Sequence, residues 1–301
     1  MATPGELLGR CRFPPPGTPV VCGVSGGADS LALLVLAVEA GCEVTAAHVD
    51  HGLRPGSERE AEVVAQAAEQ LGARSWAVRI SVPPGPNVEA RARAARHAAL
   101  PEGTLLGHTA DDRAETLLLN LLRGAGVHGL GALRPDDRHP IVGLRRAETH
   151  ALCAELGLHP VRDPSNDDPG LRRNRVRHEV LPLLAQVADR DVVPLLVRTA
   201  DRAAEVADHL DDEAARLDPA DVAGLAGAPP VVARAALRTW LRAADPGGQP
   251  PDAATLERAL GVVRGAAVAT DVGGGWRLRR RAGRLHLDPP SEGTAPDLAG
   301  P

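Results

Sequence analysis

The chain contains no lysine, so all 34 of its Lys+Arg cations are arginines. Tyrosine is also absent, and phenylalanine and methionine occur once each, as Phe13 and Met1. A GC-rich genome, favouring Ala, Gly, Pro and Arg codons, accounts for the bias without a functional cause. The absence still has a chemical consequence. No side-chain amine can act as nucleophile or phosphate clamp, so those tasks fall to arginine, backbone N–H groups, metal or an outside molecule. Cysteine is scarce as well: Cys11, Cys22, Cys42 and Cys153 stand apart with no CxxC pair. That spacing excludes the usual metal-thiolate motifs and suits free thiols in a reducing cytoplasm. The longest apolar run, Leu31–Val38, is far short of the roughly 20 residues that a membrane span needs. The opening "MATPGELLGRCRFPPPG" has no apolar core of a secretory signal. These features together predict a cytoplasmic protein without a membrane partner.

What remains is an ordinary globular balance. With 301 residues, 44% of them hydrophobic and 24% charged, the chain can form one large domain and a smaller one. The net charge of −5 argues against non-specific wrapping of nucleic acid, while local basic patches stay open. From Pro19 to about Val161, β-rich runs alternate with helical periodicity. Pro19–Val24, Glu43–Val49, Trp76–Ile80 and Thr104–Leu106 read as strands; Ser30–Ala40, Glu58–Leu71, Val88–Leu100 and Asp111–Leu122 read as helices. The alternation predicts an α/β fold with a parallel, Rossmann-like sheet, which binds ligands at the carboxyl ends of its strands. After Pro182 the strand signal stops, and Leu183–Leu217, Val231–Ala244 and Ala253–Val263 have helical spacing. A smaller, mainly helical domain follows, closed by a hairpin through Gly273–Gly275. The expected bounds are a catalytic domain over 17–181, a substrate domain over 182–288 and a disordered tail over 289–301.

The stretch "GVSGGADSLALL" (Gly23–Leu34) sits where strand meets helix. Gly26 and Gly27 permit a tight turn and remove the Cβ atoms that would hold a ligand off the backbone. Ser25 ends the strand, Ser30 begins the helix, and the helix's unpaired N–H groups and dipole attract anions. This is a phosphate cradle distinct from the Walker loop, because GK[ST] and GxGxxG are both missing. Asp29, at the helix mouth, is placed to hold Mg²⁺ beside the phosphates.

SGGxDS at this position resembles the signature of the N-type ATP pyrophosphatases, the PP-loop enzymes, with an adenine nucleotide alpha hydrolase-like sheet. Four more stretches, in this order, look like the tRNA(Ile)-lysidine synthase family: "HVDHGLRPGSERE" (His48–Glu60), "NVEARARAARHAAL" (Asn87–Leu100), "GHTADDRAETLLLNLLRGAGVHGL" (Gly107–Leu130) and "DPSNDDPGLRRNRVRHEVLP" (Asp163–Pro182). The resemblance spans about Val20–Pro182. It implies that ATP adenylates carbon 2 of the wobble cytidine in a CAU-anticodon tRNA(Ile), and that free L-lysine then displaces AMP to give lysidine. It leaves room for a homodimer.

On that resemblance Ser25, Gly26, Gly27, Ala28, Asp29, Ser30 and His48 bind ATP. Asp29 and Asp111 hold Mg²⁺. Asp29, Asp112 and Glu115 form the catalytic set. Asp111 and Glu115 lie at i and i+4, and Asp112 and Glu115 at i and i+3, so the carboxylates converge on one helix face. Asp112 and Glu115 are expected to recognise or activate lysine, together with Glu89 and Arg93, one helical turn apart. Arg123 in "RGAG", and Arg172, Arg173, Arg175 and Arg177, are expected to meet tRNA phosphates. A second basic series, Arg277–Arg284, reads equally as RNA contact or as one half-buried last strand. Three positions depart from the family pattern: His139 and Arg113, where Arg and Gln are usual, and His97, where Tyr is usual. A PP-loop cytidine thiolase and a non-catalytic RNA-binding relative are the alternatives; the first would need cysteine pairs.

Overall fold

The computed structural model describes residues 3–50, 52, 58–81, 91, 95, 98–161, 163–245 and 251–290. The chain divides into two compact units, Met1–Arg202 and Ala203–Pro301. In the first, four parallel strands stand in the order β3-β2-β1-β4: β1 Pro19–Gly23, β2 Glu43–Asp50, β3 Arg74–Arg79 and β4 Leu105–Leu106. Helices α1 Pro4–Leu8, α2 Ala28–Glu39, α3 Glu58–Gln70, α4 Ala110–Leu122, α5 Val127–Leu130 and α6 Arg146–Glu155 accompany them. The predicted parallel α/β sheet is therefore the observed one. Of the predicted helix Val88–Leu100, only Arg91, Ala95 and residues 98–100 are described.

The strand order places a topological switch at β1. The chain leaves β1 towards β2 and β3 on one side, then returns to its other side as β4. The crevice between the ends of β1 and β4 is where such sheets take ligands. The loops that follow these two strands carry SGGAD and GHTADD. Helix α2 is apolar all round and correspondingly buried, with every residue from Leu31 to Ala37 fully covered. That packing fixes the one end of α2 that matters chemically.

Beyond the sheet, helical turns run from Arg172 to Ala188: α7 Arg172–Arg175, a π-helical turn Val176–Val180 and α8 Leu181–Ala188. Pro182 explains the wide turn. Its ring nitrogen has no proton for the carbonyl one turn back, and the π-turn makes room for the ring. A second core joins Ala110, Ala114, Leu117 and Leu118 of α4 to Val176, Leu181, Val192, Val193 and Ala200. Helix α9, Val193–Ala214, contributes the last two.

The second unit packs α10 Val222–Gly227, α11 Pro230–Ala244 and α12 Ala253–Val263 with a three-stranded antiparallel sheet, β5 Ala269–Gly273, β6 Trp276–Arg281 and β7 Arg284–Asp288. The single last strand expected through Arg277–Arg284 is corrected to two strands. The chain reverses at Ala282 and Gly283, both at positive φ (49° and 76°). An alanine in that conformation lacks the usual Asn-Gly signal, which is why the turn is invisible in the sequence. Among the described residues no helix is long and apolar enough to cross a membrane.

Candidate active site

The site begins where β1 ends. Val24 is held on both sides: its N–H donates to Ala47 O (2.8 Å), and its carbonyl meets His48 Nδ1 (2.9 Å). That bond places the ring proton on Nδ1. The other nitrogen, Nε2, is buried and has no hydrogen-bond partner among the described residues. The chain then bends through Gly26, at φ +84°. Ser30 closes the bend from inside, accepting Ser25 N–H (3.1 Å) and donating to Gly27 O (2.9 Å). Ser30 is thus a buried strut for the loop, while Ser25 is exposed. Gly27 caps α2 without a side chain, so the N–H groups of Gly27, Ala28 and Asp29 have no protein acceptor among the described residues. A bare row of amides at a helix N-terminus is an anion seat.

Gly26→Ala tests the bend. Its Cβ would stand 3.4 Å from Val161 Cγ2, in a conformation costing an L-residue about 1–2 kcal/mol. The expected result is weaker ATP binding by about tenfold or more, measured by equilibrium dialysis. A second glycine matters through closeness rather than φ. A Cβ on Gly107 would lie 2.7 Å from Asp29 O, so the loop after β4 touches the backbone of the cradle helix itself.

Four carboxylates converge beside the bend, each with arginine partners. Asp29 accepts from Arg146 Nε (3.2 Å) and from the Thr149 hydroxyl. Burial nevertheless pushes its pKa above the ordinary carboxylate value, against the pull of Thr149 and Arg146 and with some help from Asp112. Asp111 takes a bidentate pair from Arg145 (both 3.1 Å) and the backbone N–H of Arg146 (2.8 Å). Burial alone would raise the pKa of Asp111, but these donors outweigh it and hold the group low. Asp112 accepts from Thr109 N–H (2.8 Å) and hydroxyl (2.9 Å), and from Arg146 and Arg173 (both 3.1 Å). It too is held low despite burial, chiefly by Arg146 and Arg173. Glu115 is fully buried, and both its oxygens are filled. Arg146 (3.0 Å) and Arg177 (2.7 Å) reach Oε1; Arg173 (2.7 Å) and Arg177 (3.1 Å) reach Oε2.

This geometry changes two expectations. The four arginines of Arg172–Arg177 do not share one solvated face. Arg173 and Arg177 turn inward to Asp112 and Glu115, whereas Arg172 and Arg175 are exposed, the latter paired with Glu179 (3.0 Å). The wide π-turn carries Arg177, so the irregular backbone lies where the side chain is aimed at the site. The carboxylates, for their part, are paired with guanidinium groups rather than arranged around a metal ion. Among the described residues no three acidic, His or Cys groups are arranged to hold a metal ion.

The model matching the chain over residues 11–184 is that of the PP-loop domain, and the TilS substrate binding domain matches 221–286. The tRNA(Ile)-lysidine synthase of Nocardia farcinica is 42% identical over 291 residues, covering 89% of this chain and 91% of that protein. The chain belongs to the tRNA(Ile)-lysidine synthase family. The namesake enzyme of Corynebacterium glutamicum is 39% identical over 279 residues, 88% of either chain. A solved structure of the U34-tRNA thiolase NcsA from Methanococcus maripaludis superposes with a TM-score of 0.50 at 18% identity, over 63% of this chain and 73% of that one. That likeness concerns the fold alone.

Within the family frame, the departures find local explanations. Arg113 is almost fully buried on α4, donating from Nε to Leu133 O (3.0 Å) and pairing with Asp201. His139 bonds Asp136 (2.6 Å), and its ring lies 4.9 Å from that of His108. His97, Glu89 and Arg93 lie outside the described residues. Arg123 is exposed at the C-terminus of α4, 3.4 Å from Asn120, and Gly124 follows at φ +73°. The motifs missed Arg145, at the N-cap of α6, and Arg146 and Thr149 on it; Asn174, inside the last motif, ties the Asp163–Asp168 turn through Ser165 O (2.7 Å) and Asp168 O (3.0 Å). The run Arg-Arg-Ala-Glu at the head of a helical period was the available signal for α6.

Proposed function

We infer that the chain forms lysidine on tRNA(Ile): ATP adenylates carbon 2 of the wobble cytidine of the CAU anticodon, and the ε-amine of free L-lysine displaces AMP. Family membership supports the reaction class. The observation that carries the site assignment is the amide row of Gly27–Asp29, without a protein acceptor among the described residues, at the start of α2 and one side chain away from Asp112 and Glu115. The amides and Ser25 take the triphosphate, and His48 lies against the strand end beside them. Asp112 and Glu115 are the carboxylates assigned to the lysine ammonium, with Arg173 and Arg177 holding them in place.

Mg²⁺ would fit at Asp29, which stands in the first turn of the cradle helix beside the amide row and meets one arginine through Oδ2 and the Thr149 hydroxyl through Oδ1. Asp111 fits less well, because Arg145 already spans both its oxygens. When bound, the ion would neutralise phosphate charge. Cysteine chemistry is disfavoured by the thiols themselves. Burial pushes Cys11 and Cys22 up to about 12 and Cys153 up to about 11, so none of the three is a ready thiolate nucleophile, and the sequence offers no paired cysteines.

Incubation with a CAU-anticodon tRNA(Ile) transcript, ATP, Mg²⁺ and labelled lysine, followed by nucleoside mass analysis, tests the proposal. A cytidine carrying lysine less one water is the expected product; unmodified or thiolated cytidine would contradict it. The exposed arginines give a further expectation. Replacing Arg172 and Arg175 by glutamine should weaken tRNA binding and reduce the slope of log K against log salt by about 1 for each phosphate no longer neutralised. Identical slopes would show that these two side chains meet only solvent.

A further inference from the structure

Arg146 belongs to none of the sequence motifs, yet it touches every carboxylate of the site. Its backbone N–H donates to Asp111 (2.8 Å), Nε to Asp29 (3.2 Å), Nη1 to Glu115 (3.0 Å) and Nη2 to Asp112 (3.1 Å). A guanidinium has five N–H groups. Three are used here, which leaves one on each terminal nitrogen. We propose that Arg146 is a catalytic residue that binds the α-phosphoryl group of the nucleotide as it passes to the cytidine.

Three observations carry this. First, the chain has no lysine to act as a phosphate clamp, and among the described residues Arg146 is the cation bonded to Asp29, in the first turn of the cradle helix. Second, three carboxylates from two helices fix the guanidinium plane, so its remaining donors are oriented before the substrate arrives, with little reorganisation left for the reaction. Third, among the described residues Arg146 alone joins the cradle carboxylate Asp29 to the Asp112–Glu115 pair, so it stands between the phosphates and the second substrate's expected seat.

The step balances without an outside co-reactant, and it rests on the adenylation reading above. The C2 oxygen of cytosine attacks the α-phosphorus and an O–P bond forms. The bond from that phosphorus to the α,β-bridging oxygen breaks, and pyrophosphate leaves with the electron pair. The ring keeps the positive charge until the amine attacks C2. Charge grows on the two non-bridging α-oxygens meanwhile, and the open N–H groups of Arg146 meet it.

The test is pyrophosphate release from ATP with the tRNA transcript and no lysine. Arg146→Met should slow release at least 100-fold while the Kd of a non-hydrolysable ATP analogue changes less than threefold. Arg146→Lys should lose roughly tenfold. Guanidinium ion in the buffer should restore part of the rate to Arg146→Ala, and the preference between the two ATP α-phosphorothioate diastereomers should shrink in Arg146→Lys. Should Arg146→Met fail to fold, Arg146→Lys and the phosphorothioate preference decide. Release within threefold of wild type overturns the proposal. So does a defect confined to lysine transfer, which would make Arg146 a keeper of the lysine seat, and so does an unchanged diastereomer preference in Arg146→Lys. A wild-type chain that releases no pyrophosphate would instead overturn the functional reading itself.

Discussion

Glu115→Ala is expected to destabilise the first unit by about 3 kcal/mol, the lower end for removing one partner of a buried ion pair. That corresponds to a fall in Tm of roughly 6–12 °C for a unit of this size. The reason is the burial of Glu115 with three guanidinium groups on its two oxygens. Removing it leaves Arg146, Arg173 and Arg177 converging without their shared counter-charge. Because these arginines are partly exposed, they can turn towards water, which is why the lower end applies. Calorimetry gives the number. The isosteric Glu115→Gln separates structure from substrate use: it keeps the shape and half the acceptors. In that variant the lysine KM should rise more than the ATP KM, and an unchanged lysine KM would contradict a lysine-facing role for this carboxylate.

Asp29→Asn is expected to act in the opposite sense on stability and even more strongly on activity. Burial holds the folded pKa of Asp29 above its unfolded value, so ionisation at neutral pH opposes folding. A neutral asparagine removes that opposition; its single oxygen can still accept from Arg146, while its amide NH₂ can donate to the Thr149 hydroxyl oxygen. The Tm should hold or rise. Pyrophosphate release should fall at least about 100-fold, because the one carboxylate in the first turn of the cradle helix is gone. A charged group retained at a cost to stability beside a phosphate seat is the usual mark of function over packing. Paired Tm and rate measurements on one preparation check both signs. A large loss of Tm, or a rate within tenfold of wild type, would contradict the assignment.

The contrast explains what could be read from sequence and what could not. The strands β1 to β4 with helices α2, α3 and α4, the glycine bend and the GHTADD loop were legible, because each rests on local periodicity or on residues needed for a turn. The convergence of SGGAD and GHTADD also followed, since the crevice position is a rule of parallel sheets. The pairing within the site was not legible. Whether Arg173 and Arg177 face RNA or Glu115 depends on the π-turn that Pro182 imposes and on α4 packing against Val176 and Leu181. Nothing in the spacing of the arginines encodes that. Arg146 was hidden for a related reason: its role comes from tertiary convergence of α2, α4 and α6, and an Arg-Arg pair at a helix start reads as ordinary surface. The turn at Ala282–Gly283 stayed unread because alanine there adopts a conformation that its own preference opposes.

The charge arrangement has a consistent logic. Asp29, Asp112 and Glu115 face Arg146, Arg173 and Arg177, three against three, in a partly buried space. Such a set holds its geometry while water is largely kept out, and each member is restrained by more than one partner. The amides of Gly27–Asp29 lie at its edge without acceptors among the described residues. The polar groups are thus satisfied where they must be rigid, and left open where phosphate is to bind.

The most direct measurement is a crystal structure of the chain with a non-hydrolysable ATP analogue and Mg²⁺. The account predicts phosphate oxygens within hydrogen-bond distance of the Gly27, Ala28 and Asp29 amides, and an Arg146 N–H on the α-phosphate. A nucleotide seated elsewhere, with those amides turned to acceptors inside the protein, would contradict it.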